Sequence, residues 1–433
     1  MELRDKIERQ LRAQRHALFQ GLAAEEEFIW PAYQGLSLAN VPATLFSLLG
    51  RNPSTLAPPL SPELWVGLDD QVQRVALILL DAVGFLHLCR ELGRGRLPFL
   101  QRAIEAGRFA PLTSVFPSTT TAALTSLHTG HAPAGHGMLA YLLYLKQFAT
   151  LVEMIRMRPL LGRGSLVDWG FDPEAFVPVP GIGRLLAQQG VRAAHFINGG
   201  FVDTPLSRIF YRDYATLSAV YSPADLFVGM RQFLTDHPAE KVLVSGYWGS
   251  LDTIGHMRGV DHLGWAAELE TLLKALEDYF WRPLPPALHE GTVLVLLADH
   301  GQTTVDYGRS LFLKEHPMLD RALLLPPAGE SRAAFLYPRA GRLEDVRASM
   351  DQFADRFATV LSADALQAGL FGPQPWLPDT SMRIGDLVSI ARQPVVIENQ
   401  RGARGAQIVG RHGGLTPEEM LIPYLAVRLE TLQ

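Results

Sequence analysis

Four hydroxyl side chains stand in a row at Ser118, Thr119, Thr120 and Thr121, behind Pro117 and ahead of a run of small residues that stops at Gly130. Serine and threonine commonly cap helix N-termini, which accounts for one hydroxyl and leaves three over. A hydroxyl at a helix N-terminus also sits where free N–H groups and the positive end of the helix dipole favour anions, phosphate and alkoxide included. A threonine hydroxyl is a feeble nucleophile at neutral pH and needs a base or a metal to activate it. The chain offers ligands for one: Asp81, then Asp252 with His256, then Asp299 with His300, and finally His412. Carboxylates and imidazoles without a thiolate suit zinc, with manganese or another divalent ion as the alternative. Two divalent ions bring four positive charges against three aspartates, a surplus of one for an anionic substrate, whereas a single ion leaves the cluster negative. Paired ions about 4 Å apart stabilise the attacking and leaving oxygens of a displacement at phosphorus together.

The elements that must position these groups share one grammar. The apolar run 75–80 reads as a buried central strand and ends at Asp81. Taken alone, that carboxylate would be a helix N-cap for residues 85–92; at the carboxyl end of a buried strand it also lies where open α/β sheets bind ligands. Residues 241–245 read as a second strand leading to Asp252 and His256, which are four apart and share one face of a helical turn. Residues 292–297 form a third, followed by Asp299 and His300, which can turn toward one point only in an irregular loop that Gly301 permits. His412 sits in the glycine loop 410–414, and residues 420–428 are again strand-like. The alternation predicts an α/β fold, a mostly parallel sheet sandwiched by helices with the ligands at its carboxyl edge. Two long excursions, about 142–205 and 306–405, are expected to form a cap or lid.

In this order, Asp81, Thr120, Asp252, His256, Asp299, His300 and His412 resemble the two-metal set of the alkaline phosphatase superfamily. The resemblance is closest to its type I phosphodiesterase / nucleotide pyrophosphatase branch and runs from about Arg74 to the C-terminus. It implies that Asp252, His256 and His412 hold one metal and that Asp81, Asp299 and His300 hold the second. It also implies that Thr120, directed at both metals, is the nucleophile, marked out from its neighbours by its spacing to Thr129 and Gly130. The activity implied is hydrolysis of phosphodiesters or nucleotide pyrophosphates with two divalent ions, zinc foremost. A phosphomonoesterase or a metal-dependent phosphomutase of the same superfamily would use nearly the same ligands. A sulfatase would need cysteine or serine where Thr120 stands, and a non-enzymatic scaffold is at odds with a complete ligand set. The family often places an asparagine against a phosphate oxygen a little beyond the nucleophile; residues 137–141 offer Tyr141 instead, a candidate substrate contact as well as a core aromatic. Residues 142–158 are apolar with Lys146, Arg156 and Arg158 interspersed, read as solvated charges on a helix.

With 48% hydrophobic and 19% charged residues, the 433-residue chain can bury a large core and is not a disordered segment. A net charge of −5 gives no basic footprint for a nucleic-acid polymer, so the expected partner is a small phosphorylated substrate. The single cysteine, Cys89, has no partner for an intrachain disulfide and reads as a buried structural thiol. Leu3, Ile7 and Leu11 stripe an N-terminal helix of alternating charge, and no apolar run approaches a membrane span. No membrane association and a cytoplasmic location are therefore expected. Residues 1–65 read as a helical extension closed by a proline-rich linker, with residues 66–433 as the metallohydrolase domain. The apolar content of the extension points to docking on the main body or on another subunit of a homo-oligomer.

Overall fold

The computed structural model describes residues 2–20, 27–400 and 408–432. Its main sheet runs in the order Arg108–Thr113, Leu421–Arg428, Thr292–Ala298, Arg74–Leu80, Lys241–Trp248, Val191–Asn198 and Thr216–Val220. All pairings are parallel except the two made by Leu421–Arg428. Every residue of Arg74–Leu80 and of Thr292–Ala298 is buried, so both faces of the centre are covered and no polar alternation survives. Amphipathic helices such as Phe85–Gly93 and Pro98–Ala106 supply that cover. The register pairs Leu80 with both Trp248 and Ala298. The three central strands therefore end level, and Asp81 and Asp299 emerge side by side.

The two excursions meet. A second, antiparallel sheet orders Phe357–Leu361, Leu387–Ala391, Ala333–Leu336, Ala328–Gly329, Leu142–Leu145, Thr150–Glu153 and Arg158–Pro159. Gly329 pairs with Leu142 and joins the strands contributed by one excursion to those of the other. Two sequence expectations change here. Residues 142–158 form the short strands Leu142–Leu145 and Thr150–Glu153 joined by the 3-10 turn Lys146–Phe148, rather than one helix; Ala149, at φ 49°, turns the chain so that the two strands pair. The excursion expected over 142–205 ends sooner, because the apolar strand Val191–Asn198 returns to pair in parallel with Lys241–Trp248. The last part of the other excursion, residues 401–405, lies outside the described residues.

The N-terminal segment packs on its own main body. Ile7 and Leu11 of the helix Glu2–Ala13 are fully buried, while Leu3 is half-buried. The Thr113 N–H donates to Leu36 O at 2.8 Å, and Ile29 N–H to Leu415 O at 2.8 Å. Cys89 is half-buried, and burial pushes its thiol up to about 11, which leaves it an unreactive packing residue. Among the described residues no helix is long and apolar enough to cross a membrane.

Candidate active site

Each strand end delivers its residue to one place. Asp81 follows Leu80 directly, and its neighbour Ala82 adopts φ 59°, turning the chain toward Asp299, whose Oδ1 accepts the Ala82 N–H at 3.1 Å. The same Oδ1 accepts the His300 N–H at 2.9 Å, which fixes the Asp299 carboxylate on its own loop. Asp252 and His256 share one face of the helix Ser250–Arg258, with His256 Nε2 lying 3.2 Å from Asp252 Oδ1. His412 reaches the same oxygen at 3.8 Å, and its ring stacks on His300 at 3.9 Å between centroids. All six metal-ligand candidates of the sequence are thus brought together.

The four hydroxyls have separate fates. Thr119 takes the N-cap position of the helix Thr120–Thr129, yet no side chain caps that end. Ser118 Oγ donates to Gly414 O at 2.8 Å, Thr121 is buried, and half-buried Thr120 directs Oγ1 to His300 Nε2 at 3.0 Å. An uncapped helix N-terminus of this kind favours negative charge beside that hydroxyl.

All three imidazoles are oriented alike. His256 Nδ1 donates to Gly410 O at 2.7 Å, His412 Nδ1 to Ser118 O at 3.1 Å and His300 Nδ1 to Gly301 O at 3.0 Å. Committing Nδ1 to a carbonyl leaves a lone pair on each Nε2, as metal-ligating histidines require. His300 Nε2 then faces Asp81 Oδ1 at 3.5 Å and Asp299 Oδ2 at 3.4 Å, both buried oxygens without a hydrogen-bond partner. Acceptors facing acceptors in a buried site repel unless a cation lies among them, so the donor set fits metal. Two groupings meet ligand spacing: Asp81, Asp299 and His300, and Asp252, His300 and His412.

Burial has opposite effects on the two ligand types. It raises the Asp81 carboxyl well above the usual range, reinforced by Asp299 and Asp252. It lifts Asp252 to about 7, against the pull of His300 and with the push of Asp299, and it lowers His256 to about 4. Near neutral pH the Asp81 and Asp252 carboxylates, not His256, are therefore groups on which protons compete with metal. Affinity for zinc is expected to fall about tenfold per pH unit below 7 from Asp252 alone, with Asp81 adding to it. Chelator-competition titrations at pH 8 and pH 6 measure this, and equal affinities would contradict it.

Several supporting residues carried no signal in the sequence. Tyr33 accepts the Phe116 N–H at 3.2 Å and donates to Leu370 O at 3.1 Å, so the N-terminal segment buttresses the lead-in to Thr120. Tyr247 donates to Asp81 Oδ2, and Gln302 Nε2 donates to Asp252 Oδ1 at 3.1 Å. Tyr141, which the sequence did single out, is half-buried and gives its N–H to Glu330 Oε1 at 2.7 Å; Glu330, which it did not, packs directly against Gly413, next to His412.

Arg332 and Glu419, both with fully buried side chains, form a two-pronged pair at 2.7 and 2.8 Å. Glu419 also accepts the Gly414 N–H and the Thr416 hydroxyl, each at 2.8 Å, which ties the His412 loop to the second sheet. Arg332→Met leaves the Glu419 charge buried without its partner and is expected to cost about 3–5 kcal/mol in urea unfolding. A loss below about 1 kcal/mol, the range of exposed pairs, would contradict that role.

A profile of the type I phosphodiesterase / nucleotide pyrophosphatase family matches residues 75–415. No curated protein matches the chain in sequence. Among solved structures, the chain is similar to murine ectonucleotide pyrophosphatase / phosphodiesterase 5, in an inactive threonine-to-alanine variant with AMP. That likeness covers 82% of this chain and 87% of the other at 18% identity, with a TM-score of 0.61. The human counterpart gives 82%, 87% and 19%, with a TM-score of 0.61. Phosphonoacetate hydrolase from Sinorhizobium meliloti 1021, in complex with phosphonoformate, gives 83%, 90% and 18%, with a TM-score of 0.60. At these identities the likeness is one of fold.

Proposed function

The chain belongs to the type I phosphodiesterase / nucleotide pyrophosphatase family of hydrolases, and from that premise we propose a two-metal phosphoryl-transfer enzyme with Thr120 as nucleophile. The observation that carries this reading is the set of acceptors, three imidazole Nε2 atoms and the aspartate oxygens they face, converging beside one threonine hydroxyl. Asp252, His256 and His412 would hold one ion and Asp81, Asp299 and His300 the other, with zinc first and manganese second by ligand chemistry. When bound, the ions lower the pKa of the threonine hydroxyl and stabilise charge on the attacking and leaving oxygens.

The protein's own groups do the positioning. The contact of Thr120 Oγ1 with His300 Nε2 places the hydroxyl at the edge of the ligand set, with the Nε2 lone pair the one that an ion would take, and the N–H groups of the helix end would receive the phosphoryl oxygens. Thr120 Oγ1 forms a bond to phosphorus and the bond from phosphorus to the leaving oxygen breaks. Water then hydrolyses the threonyl ester and restores the hydroxyl. Small phosphodiesters or nucleotide pyrophosphates are the substrates in this reading, with Tyr141, held by Glu330 near His412, as a substrate contact. The murine neighbour was captured with AMP, which is in keeping with a nucleotide substrate in this reading. A cytoplasmic location belongs to the same reading.

Incubation with zinc or manganese and bis-p-nitrophenyl phosphate, beside p-nitrophenyl phosphate, tests the activity. Faster release from the diester is expected. Preference for the monoester would make the chain a phosphomonoesterase, and silence on both would favour a phosphomutase or a scaffold.

A further inference from the structure

Two hydrogen bonds onto metal-facing carboxylates come from neutral, buried donors on different elements. Tyr247 is paired in register with Leu79 on the adjacent strand, which puts its ring on the sheet face shared by Leu79 and Asp81. Its hydroxyl donates to Asp81 Oδ2, and Oδ1 is left as the buried oxygen that faces His300 Nε2. Gln302, fully buried, donates its amide to Asp252 Oδ1, the oxygen that His256 and His412 also face. That oxygen has two lone pairs, so one remains for an ion. Room for the Gln302 amide comes from Gly255, where a Cβ would stand 1.8 Å from Gln302 Oε1. Among the described residues no lysine or arginine pairs with Asp81, Asp252 or Asp299. A phenol and an amide orient a carboxylate without cancelling its charge, and that full charge is what draws a cation into a buried site.

We infer that Tyr247 and Gln302 are positioning residues with one metal each: Tyr247 aligns Asp81 for the ion shared with Asp299 and His300, and Gln302 aligns Asp252 for the ion shared with His256 and His412. This inference rests on the two-metal reading above. Each donor restricts its aspartate to one oxygen or one lone pair, so each ion meets a preset ligand. Loss of one donor therefore loosens one ion and spares the other.

The test is a zinc titration of the metal-stripped full-length protein against a chromophoric chelator. Asp299→Asn and His256→Ala identify which binding step belongs to which ligand set. Tyr247→Phe is expected to weaken the step lost in Asp299→Asn by about 10–100-fold, and to leave the other within about threefold. Gln302→Leu is expected to do the reverse, and Gly255→Ala, which displaces the same amide, to match it. Urea midpoints of the metal-free variants serve as the control, because a merely structural defect lowers stability and weakens both steps together. Weakening of both steps to the same degree, or of neither, overturns the inference. A wild-type protein that takes up a single ion overturns the two-metal reading itself, and the pairing with it.

Discussion

Thr120→Ala is expected to bind metal as the wild type does and to lose about 10⁴–10⁶-fold in turnover, the range seen when a catalytic nucleophile is removed. The structure separates the two effects. Thr120 is the first residue of its helix, the N-cap position belongs to Thr119, and no side-chain bond caps that end. Alanine is the best helix former, so the helix loses nothing it used. The removed hydroxyl hydrogen-bonds His300 Nε2, while Asp81 and Asp299 stay where the strand ends put them and Asp252 where its helix does. Thr120→Ser keeps an oxygen on the same Cβ and is expected to retain most of the activity. Steady-state kinetics on the diester, with metal content measured on the same samples, check both variants. Full activity in Thr120→Ala would remove the nucleophile from this site.

Gly301→Ala is expected to fail earlier, at assembly. A Cβ on Gly301 would stand 1.9 Å from Glu418 O and 2.8 Å from Gly84 Cα. Both obstacles are backbone, so no rotamer relieves them. Gly84 closes the turn after Asp81, Gly301 follows His300, and the Gly301 N–H donates to Glu419 O at 2.8 Å. Separating these segments drives Asp81 away from Asp299 and His300 and strains the Arg332–Glu419 pair as well. About 3 kcal/mol or more of stability is expected to be lost in urea unfolding, at the upper end for overpacked cores. Zinc affinity is expected to fall at least 100-fold, since outer-shell changes alone cost 10–100-fold. Wild-type stability together with wild-type zinc affinity would contradict this.

What was legible in the sequence was local or periodic. The run of residues 75–80 announces a strand covered on both faces because such strands show no polar alternation, and the apolar stretch before Asp299 does the same. Parallel pairing of two such strands with level ends brings Asp81 to Asp299, and helical spacing brings Asp252 to His256. What stayed hidden depends on distant partners. The second sheet is built from strands as short as Ala328–Gly329 and Arg158–Pro159, whose pairing is decided by tertiary contact rather than propensity. Arg332 and Glu419 are 87 positions apart, and each alone reads as a surface charge. Tyr33 lies in a segment with no chemistry of its own, and only the fold shows it holding Phe116.

The most direct measurement is an acid quench of the enzyme during turnover of bis-p-nitrophenyl phosphate with zinc, followed by peptide mass spectrometry. A phosphoryl ester on the peptide containing Thr120, absent in Thr120→Ala and absent without zinc, is the expected result. Turnover with no ester on Thr120, or with the ester on another residue, would contradict the assignment of this hydroxyl as the nucleophile.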